Sequence, residues 1–257
     1  MIIASKRDTF HYNNIDYFEK EFLKTFFSPS SVWFVIYSKN TWELIKRLIV
    51  NSKRIVDLGC GGGTLLYNLS KITKAELIGV DFSIEALKLS SQKIPYAKFI
   101  QSDVCNIPLK SGSCDFVLST MVIEHLRSDV KFINEINRIL VKKGYLMIST
   151  VLKKNRSWYF YKNIYGKRVL EPTHVREYKD SRELLKKLIG RGFKIIAVET
   201  PPILFPLIDP LLKFSCRILK FYFWKKFLAG KLVEFLRLKT RIPIPGYYSL
   251  EVIAQKC

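Results

Sequence analysis

Cysteine is scarce in this chain of 257 residues and is not arranged for metal binding. The five cysteines are odd in number and widely spaced, and they contain no C-x-x-C pair. This pattern argues against the common zinc sites and against a paired disulfide framework. We therefore expect a reduced, intracellular protein. The cysteines are Cys60, Cys105, Cys114, Cys216 and Cys257.

Long apolar runs are also lacking. No run reaches the roughly 18 residues that a membrane-spanning helix needs. The first ten residues, MIIASKRDTF, contain too short an apolar stretch for the core of a secretory signal. We expect a cytoplasmic protein, and we expect any membrane association to be peripheral, at the inner face of the membrane.

Acidic residues are few relative to basic ones. The chain has 43 lysines and arginines against 22 aspartates and glutamates, a formal net charge of +21. Such an excess favours an anionic partner, which could be nucleic acid, a membrane surface or a substrate. A general lysine enrichment of solvated faces would give the same total, so the distribution of the charges has to decide.

Glycine is rare, yet four of the 12 glycines fall within residues 59–63, GCGGG. The preceding KRIVDL (53–58) predicts a short buried strand, and the following TLLYNL (64–69) predicts the start of a helix. Glycines cluster where a turn is tight or where a ligand approaches the main chain. A strand, a glycine loop and a helix N-terminus together predict a site for a polar cofactor.

Strand-like and helical segments alternate after residue 53. The sequence predicts N-caps at Ser83 and Ser128 for two of the helices, and the alternation predicts an α/β fold with a doubly wound parallel sheet. We expect an N-terminal helical cap over 1–50 and a main domain over 51–257, with a basic, apolar insert over 200–247. The predicted strands are 53–58, 75–80, 97–101, 114–119, 144–151, one within 180–199 and 248–256.

Three aspartates lie at or near the carboxyl ends of three successive predicted strands. Asp57 lies in the first strand, Asp81 ends the second and Asp103 follows the third. A carboxylate after the second strand can accept hydrogen bonds from both hydroxyls of a ribose. One after the third strand can accept from the exocyclic amine of a base. The spacing therefore suits a ligand that carries a nucleoside.

A nicotinamide dinucleotide is the main alternative ligand, and two features disfavour it. Its G-x-G-x-x-G fingerprint fails at Thr64. Asp57 would also place a carboxylate near the pyrophosphate. A carboxylate there suits a ligand with a cationic end, and S-adenosylmethionine has an ammonium group, a sulfonium, a ribose diol and an adenine.

Four ordered motifs resemble those of class I S-adenosylmethionine-dependent methyltransferases. They are VDLGCGGG, GVDFS, SDVCNIPLKSGSCDFVLSTMVIEHL and GYLMIST, and the similarity covers roughly residues 40–155. The resemblance implies a Rossmann-like, mostly parallel, seven-stranded sheet with a helical insert before the last strand. It also implies S-adenosylmethionine as the cofactor.

The resemblance further implies a set of cofactor-binding residues. The loop glycines would line the methionine moiety, the second-strand aspartate and its neighbour would hold the ribose and adenine, and the fourth strand would end near the sulfonium. The set is Asp57, Gly59, Gly61, Gly63, Asp81, Phe82, Asp103, Val104, Ser119 and Thr120.

A looser resemblance continues beyond the core motifs. ISTVLKKNRSWYF and EPTHVREYKDSRELLKKLIGRGF are similar to the corresponding stretches of ubiquinone-type O-methyltransferases. This similarity implies a small or lipidic acceptor without identifying it.

Histidine is scarcer still, with three in the chain. Deprotonation of an alcohol or phenol acceptor needs a base, and the candidates are His125, just past the fourth strand, and His174, in EPTHVREY. Each could instead be a packed or capping side chain. Some ubiquinone-type enzymes have a metal-holding E-x-x-E-H here, but Met121 replaces the first glutamate. That substitution leaves Glu124 and His125, so we expect no metal.

The insert combines basic and apolar residues. Residues 203–241 contain nine cations and two acids, with many leucines and phenylalanines. This composition favours a helix at an anionic membrane surface, although a lid packed on the protein would have a similar composition. Cations beside exposed polar residues would be more typical of nucleic-acid binding.

We therefore expect an S-adenosylmethionine-dependent methyltransferase that acts at oxygen on an apolar or lipid-linked small molecule, at a membrane surface. The alternatives are an RNA methyltransferase and a non-catalytic module that binds S-adenosylmethionine. The sequence has no Pro-Cys and no D/N-P-P-Y/F after the fourth strand, which disfavours two kinds of nucleic-acid modification.

Overall fold

The computed structural model of the protein describes residues 37–158, 161–163, 165–206 and 240–257. The chain divides into two compact units. The larger unit contains the described residues up to 201 together with 245–257, and the described residues of the smaller unit are 202–206 and 240–244. All the cofactor motifs belong to the larger unit.

The sheet has the predicted parallel core. The strands are β1 (Arg54–Leu58), β2 (Glu76–Asp81), β3 (Lys98–Gln101), β4 (Cys114–Thr120), β5 (Leu140–Lys153), β6 (Tyr161–Lys162), β7 (Arg168–Val169), β8 (Phe193–Glu199), β9 (Pro202–Pro206) and β10 (Arg241–Lys256). The order in the sheet is β3-β2-β1-β4-β5-β10-β8, β9 pairs with β10, and β6 and β7 form a separate ribbon. Strands β1 to β5 run parallel, while β10 is antiparallel to β5 and β8.

The order of the strands locates the site. The chain moves outwards from β1 to β2 and β3, then returns to place β4 on the other side of β1. Ligands of open parallel sheets bind at such a reversal, beyond the carboxyl ends of the strands. The glycine loop after β1 lies at this position.

Five α-helices lie among the described residues, and two begin at the predicted caps. The hydroxyl oxygen of Ser83 accepts from the amide of Ala86 at 3.2 Å, and that of Ser128 accepts from the amide of Lys131 at 3.2 Å. Both predicted N-caps are confirmed. The helices are α1 (Lys39–Leu48), α2 (Thr64–Ser70), α3 (Ile84–Lys93), α4 (Asp129–Ile139) and α5 (Ser181–Ile189), and a 3-10 turn spans Ile123–His125.

Two apolar cores cover the two faces of the sheet. Neighbouring residues of β1 point to opposite faces, with Ile55 in one core and Val56 in the other. Helices α1, α2 and α3 contribute to the core of Ile55, while α4 and α5 contribute to that of Val56. Each fully buried large side chain stabilises the fold by about 1.5–3 kcal/mol. The doubly wound α/β architecture is confirmed.

The last strand begins earlier than expected. It starts at Arg241 rather than at residue 248. The sequence prediction missed these residues because Pro243 and Pro245 are untypical of a strand. The expected insert therefore has strand at its described ends, Pro202–Pro206 and from Arg241. Its remainder, 207–239, and residues 1–36 of the expected cap lie outside the described residues. Among the described residues, no helix has the length and apolar character needed to cross a bilayer.

Candidate cofactor and methyl-transfer site

The glycine loop depends on left-handed backbone. Gly59, Gly61 and Gly63 have φ of 73°, 48° and 72°. A Cβ on Gly59 would lie 2.3 Å from a methyl carbon of Val122, and one on Gly63 would lie 2.9 Å from the hydroxyl oxygen of Ser90. Side chains are therefore excluded at Gly59 and Gly63 by both conformation and space.

Asp81 holds the loop in place. Its Oδ2 accepts from the amide of Gly61 at 2.8 Å, and its Oδ1 accepts from the amide of Ser83 at 2.9 Å. The side chain is buried, and burial raises its pKa, although hydrogen bonds from main-chain amides oppose that shift. A carboxylate has about four acceptor positions, so Asp81 keeps capacity for further donors.

Asp57 is a second buried carboxylate at the same strand ends. Its residue is 2% exposed, and burial together with the charge of Asp81 raises its pKa to about 7. Both effects disfavour the ionised form. A cationic ligand group nearby would offset them and would therefore be stabilised by Asp57.

The residues expected at the adenine are placed along β2 and β3. Asp81 is the register partner of Gln101, so the segment after β3 begins beside the end of β2. Phe82 is about one-third exposed, Val104 is buried, and Asp103 is exposed with its Oδ1 accepting from the amide of Cys105 at 2.8 Å.

The end of β4 adjoins the glycine loop. Ser119 is the register partner of Leu58, the residue before Gly59. The Ser119 hydroxyl is fully buried and has no hydrogen-bond partner among the described residues, and the Thr120 hydroxyl is hydrogen-bonded to that of Tyr37. Burial raises the pKa of Tyr37. No motif in the sequence marks Tyr37, which lies just before α1.

The two candidate bases meet in space although 49 residues separate them. The rings of His125 and His174 lie 4.9 Å apart, edge to face. The Thr173 hydroxyl donates to Glu171, so its oxygen accepts from Nδ1 of His125, at 3.1 Å. Burial lowers the pKa of His125 to about 4, so this imidazole is neutral at neutral pH.

Glu177 holds the other histidine. Its Oε1 accepts from Nδ1 of His174 at 2.8 Å and from the amide of Leu170 at 2.7 Å. Burial opposes a charge on His174, but Glu177, Glu171 and Glu124 outweigh it, and the pKa of His174 lies above its ordinary value. His174 is therefore the stronger base of the pair, with Nε2 as the acceptor nitrogen.

Glu124 completes a set of donors that could hold a metal. One oxygen of Glu124 and one ring nitrogen each from His125 and His174 all lie within 4.8 Å of one another. Oε2 of Glu124 accepts from the Thr150 hydroxyl at 2.9 Å, while Oε1 is buried and has no hydrogen-bond partner in the part of the chain that the structure describes. Burial raises the pKa of Glu124 to about 7. The expectation that no metal binds stays a prediction.

The residues at the strand ends fit S-adenosylmethionine. Asp57 supplies a carboxylate that a cation would stabilise, and Asp81 has acceptor capacity for a diol. The left-handed glycines bring main-chain groups to the surface of the loop without side chains in the way. The expected cofactor residues thus lie on adjoining strand ends, and their individual roles stay predictions.

Comparisons with known proteins give the same assignment. Residues 56–148 match the family model described as "Methyltransferase domain". A Mycobacterium tuberculosis protein named "probable S-adenosylmethionine-dependent methyltransferase" is 29% identical over 147 residues, which are 57% of this chain and 51% of that protein.

Two further relatives have named reactions. A malonyl-[acyl-carrier protein] O-methyltransferase of Legionella pneumophila is 27% identical over 160 residues, 59% of this chain and 54% of that protein. A ubiquinone/menaquinone biosynthesis C-methyltransferase of Campylobacter jejuni is 23% identical over 167 residues, 56% of this chain and 71% of that protein. The chain spans only about half the length of the first two relatives.

The fold has counterparts among solved structures. An S-adenosylmethionine-dependent methyltransferase from Mesorhizobium loti superposes with a TM-score of 0.54 at 17% identity, covering 84% of this chain and 98% of that one. The expected family resemblance and the expected fold are confirmed, and the comparisons support S-adenosylmethionine as the cofactor and methyl transfer as the reaction. Residues 56–148 therefore match a methyltransferase domain, and the fold is shared with an S-adenosylmethionine-dependent methyltransferase of known structure.

Proposed function

We propose that the protein transfers a methyl group from S-adenosylmethionine to an oxygen atom of an apolar or lipid-linked small molecule at a membrane surface. The observation that carries this proposal is the pairing of His125, which follows β4, with His174, which precedes α5: Glu177 fixes His174, and the two ring centroids lie 4.9 Å apart. A base held in one orientation is what transfer to an alcohol or phenol requires.

The chain's own residues divide the work. Bound S-adenosylmethionine supplies an electrophilic methyl group on a sulfonium. Asp81 and the glycine loop orient the cofactor, and Nε2 of His174 takes the proton of the acceptor hydroxyl as its oxygen attacks. Glu177 stabilises the resulting imidazolium through Nδ1. The ring of His125 lies beside that of His174 and, because it is neutral, adds no competing charge. Alignment of the reacting groups supplies much of the remaining acceleration.

The apolar character of the acceptor is supported by the insert. Residues 203–241 combine nine cations with many leucines and aromatics, a composition that suits an acyl boundary with anionic headgroups. Of the relatives, one acts in ubiquinone and menaquinone biosynthesis and one is an O-methyltransferase. The RNA methyltransferase and the non-catalytic module remain the alternatives that the experiments must separate.

Transfer of labelled methyl groups tests the function. The protein is incubated with methyl-labelled S-adenosylmethionine and an extract of cells that lack its gene. We expect label in the organic-solvent fraction, at a rate about 10²–10⁴-fold lower for His174→Ala, because a general base contributes that much. His174→Ala should bind the cofactor normally, and His11→Ala is the matched control. Label in RNA would favour the first alternative, and no transfer to any fraction would favour the second.

The titration of the histidines tests the division of roles. By NMR we expect His174 to have a pKa above the ordinary 6.5 and His125 to have one near 4. Glu177→Gln should lower the pKa of His174, because the imidazolium loses its charged partner while burial remains. Glu43→Gln is the control and should change neither value, because the Glu43 side chain is 45% exposed and lies on α1. An unchanged pKa of His174 in the Glu177→Gln variant would contradict the assignment of the base.

Binding to vesicles tests the membrane surface. We expect the protein to sediment with anionic liposomes and to lose this binding when residues 211–240 are replaced by a short linker, with cofactor binding kept. Each cation near an anionic surface adds about 1 kcal/mol, which salt screens. The apolar side chains add a part that resists salt. This proposal would be contradicted if the intact protein did not bind the liposomes but bound RNA at physiological salt.

A further inference from the structure

A basic cavity opens beyond the end of β5. Five of its seven lining residues are cationic, whereas lysine and arginine make up 43 of 257 residues, about one in six. The share of cations in the lining is therefore higher than the composition of the chain alone would give. The lining residues are Lys153, Lys154, Asn155, Arg156, Ser157, Arg168 and Lys179.

The wall of the cavity is fixed by main-chain contacts. The amide of Lys154 donates to the carbonyl of Gly246 at 2.8 Å, and that of Trp158 donates to the carbonyl of Pro245 at 3.2 Å. Gly246 has φ of 78°, and a Cβ there would lie 2.5 Å from Cα of Ser157. The segment that carries the cations is thus held closely against β10.

The two nearby carboxylates do not neutralise the cations that line the cavity. Oε2 of Glu177 lies 3.4 Å from Nζ of Lys153, but Glu177 also holds His174. Asp180 attracts Lys154 and is hydrogen-bonded to Arg182. Neither acid lines the cavity. Cations gathered in this way repel one another, and a bound anion would remove that cost.

The cavity is connected to the proposed base through two side chains. Lys153 lines the cavity and contacts Glu177, which in turn contacts Nδ1 of His174 at 2.8 Å. A group bound among the cations would therefore lie next to the residues that orient the base. A group in that position can belong to the acceptor molecule that the base deprotonates.

We propose that this cavity binds a phosphate or diphosphate group of the methyl acceptor. The inference rests on the proposed function, since it assigns a chemical class to the acceptor of that reaction. A phosphate offers several charged oxygens, which lysines attract as point charges and arginines can bind through paired N–H groups. The source of the phosphate is either a soluble ester or a lipid headgroup.

Titration with inorganic pyrophosphate tests the cavity in the full chain. Calorimetry at physiological salt compares wild type with Lys154→Gln/Lys179→Gln, which removes two exposed cavity cations. Lys110→Gln/Lys142→Gln removes two exposed cations elsewhere. We expect at least tenfold weaker binding in the cavity variant and less than a twofold change in the control. Failure of wild type to bind pyrophosphate, or equal loss in both variants, would overturn the proposal, as would unchanged binding in the cavity variant.

Two further measurements on the same samples complete the test. Calorimetry of wild type and the cavity variant with glycerol 3-phosphate and with a monomeric short-chain phosphatidylglycerol identifies the source. Cavity-dependent binding that is tighter for the lipid indicates a headgroup, and cavity-dependent binding that is tighter for the glycerol ester indicates a soluble phosphate ester. Titration with S-adenosylmethionine keeps the two hypotheses apart. Its binding is independent of the cavity, so its absence in wild type would count against the proposed function and not against the phosphate site.

Discussion

The carboxylate of Asp81 connects three parts of the cofactor site. It ends β2, it accepts from the amide of Gly61 in the loop after β1, and it accepts from the amide of Ser83 at the start of α3. Hydrogen bonds to a charged group each contribute about 1.5–3 kcal/mol. The left-handed conformation of Gly61 belongs to the same arrangement. The glycine loop and the start of α3 therefore both depend on the one side chain that is proposed to bind the ribose.

A second carboxylate organises the side of the site where the acceptor would bind. Glu177 contacts His174, Lys153, Tyr247 and the amide of Leu170, which come from three segments of the chain: β5, β10 and the connection between β7 and α5. These contacts hold its pKa below the ordinary value even though burial alone would raise it. An ionised, buried Glu177 contacts the proposed base at one end and the first cation of the basic cavity at the other. The two halves of the site are thus each arranged around a buried acid.

The sequence predicts the cofactor half better than the acceptor half, and the reason is physical. Strand periodicity, the glycine cluster and the strand-end aspartates are local patterns, so the sequence alone places Gly59 and Asp81 at strand ends. The contacts of Glu177 with Lys153 and Tyr247 join distant segments and have no local pattern. His125 and His174 can be named as candidates from the sequence, but only the fold shows that their rings meet. The early start of β10 escapes prediction because prolines interrupt its pattern.

The affinity of purified protein for S-adenosylmethionine is the most direct measure of whether Asp81 organises the cofactor site. Calorimetry should compare wild type with Asp81→Ala and with Glu85→Ala, which removes an exposed carboxylate from the neighbouring helix α3. We predict that wild type binds, that Asp81→Ala binds about tenfold or more weakly because it loses one or more charged hydrogen bonds, and that Glu85→Ala is unchanged. Circular dichroism should show that all three proteins are folded. Wild-type affinity in a folded Asp81→Ala variant would contradict the role assigned to this carboxylate.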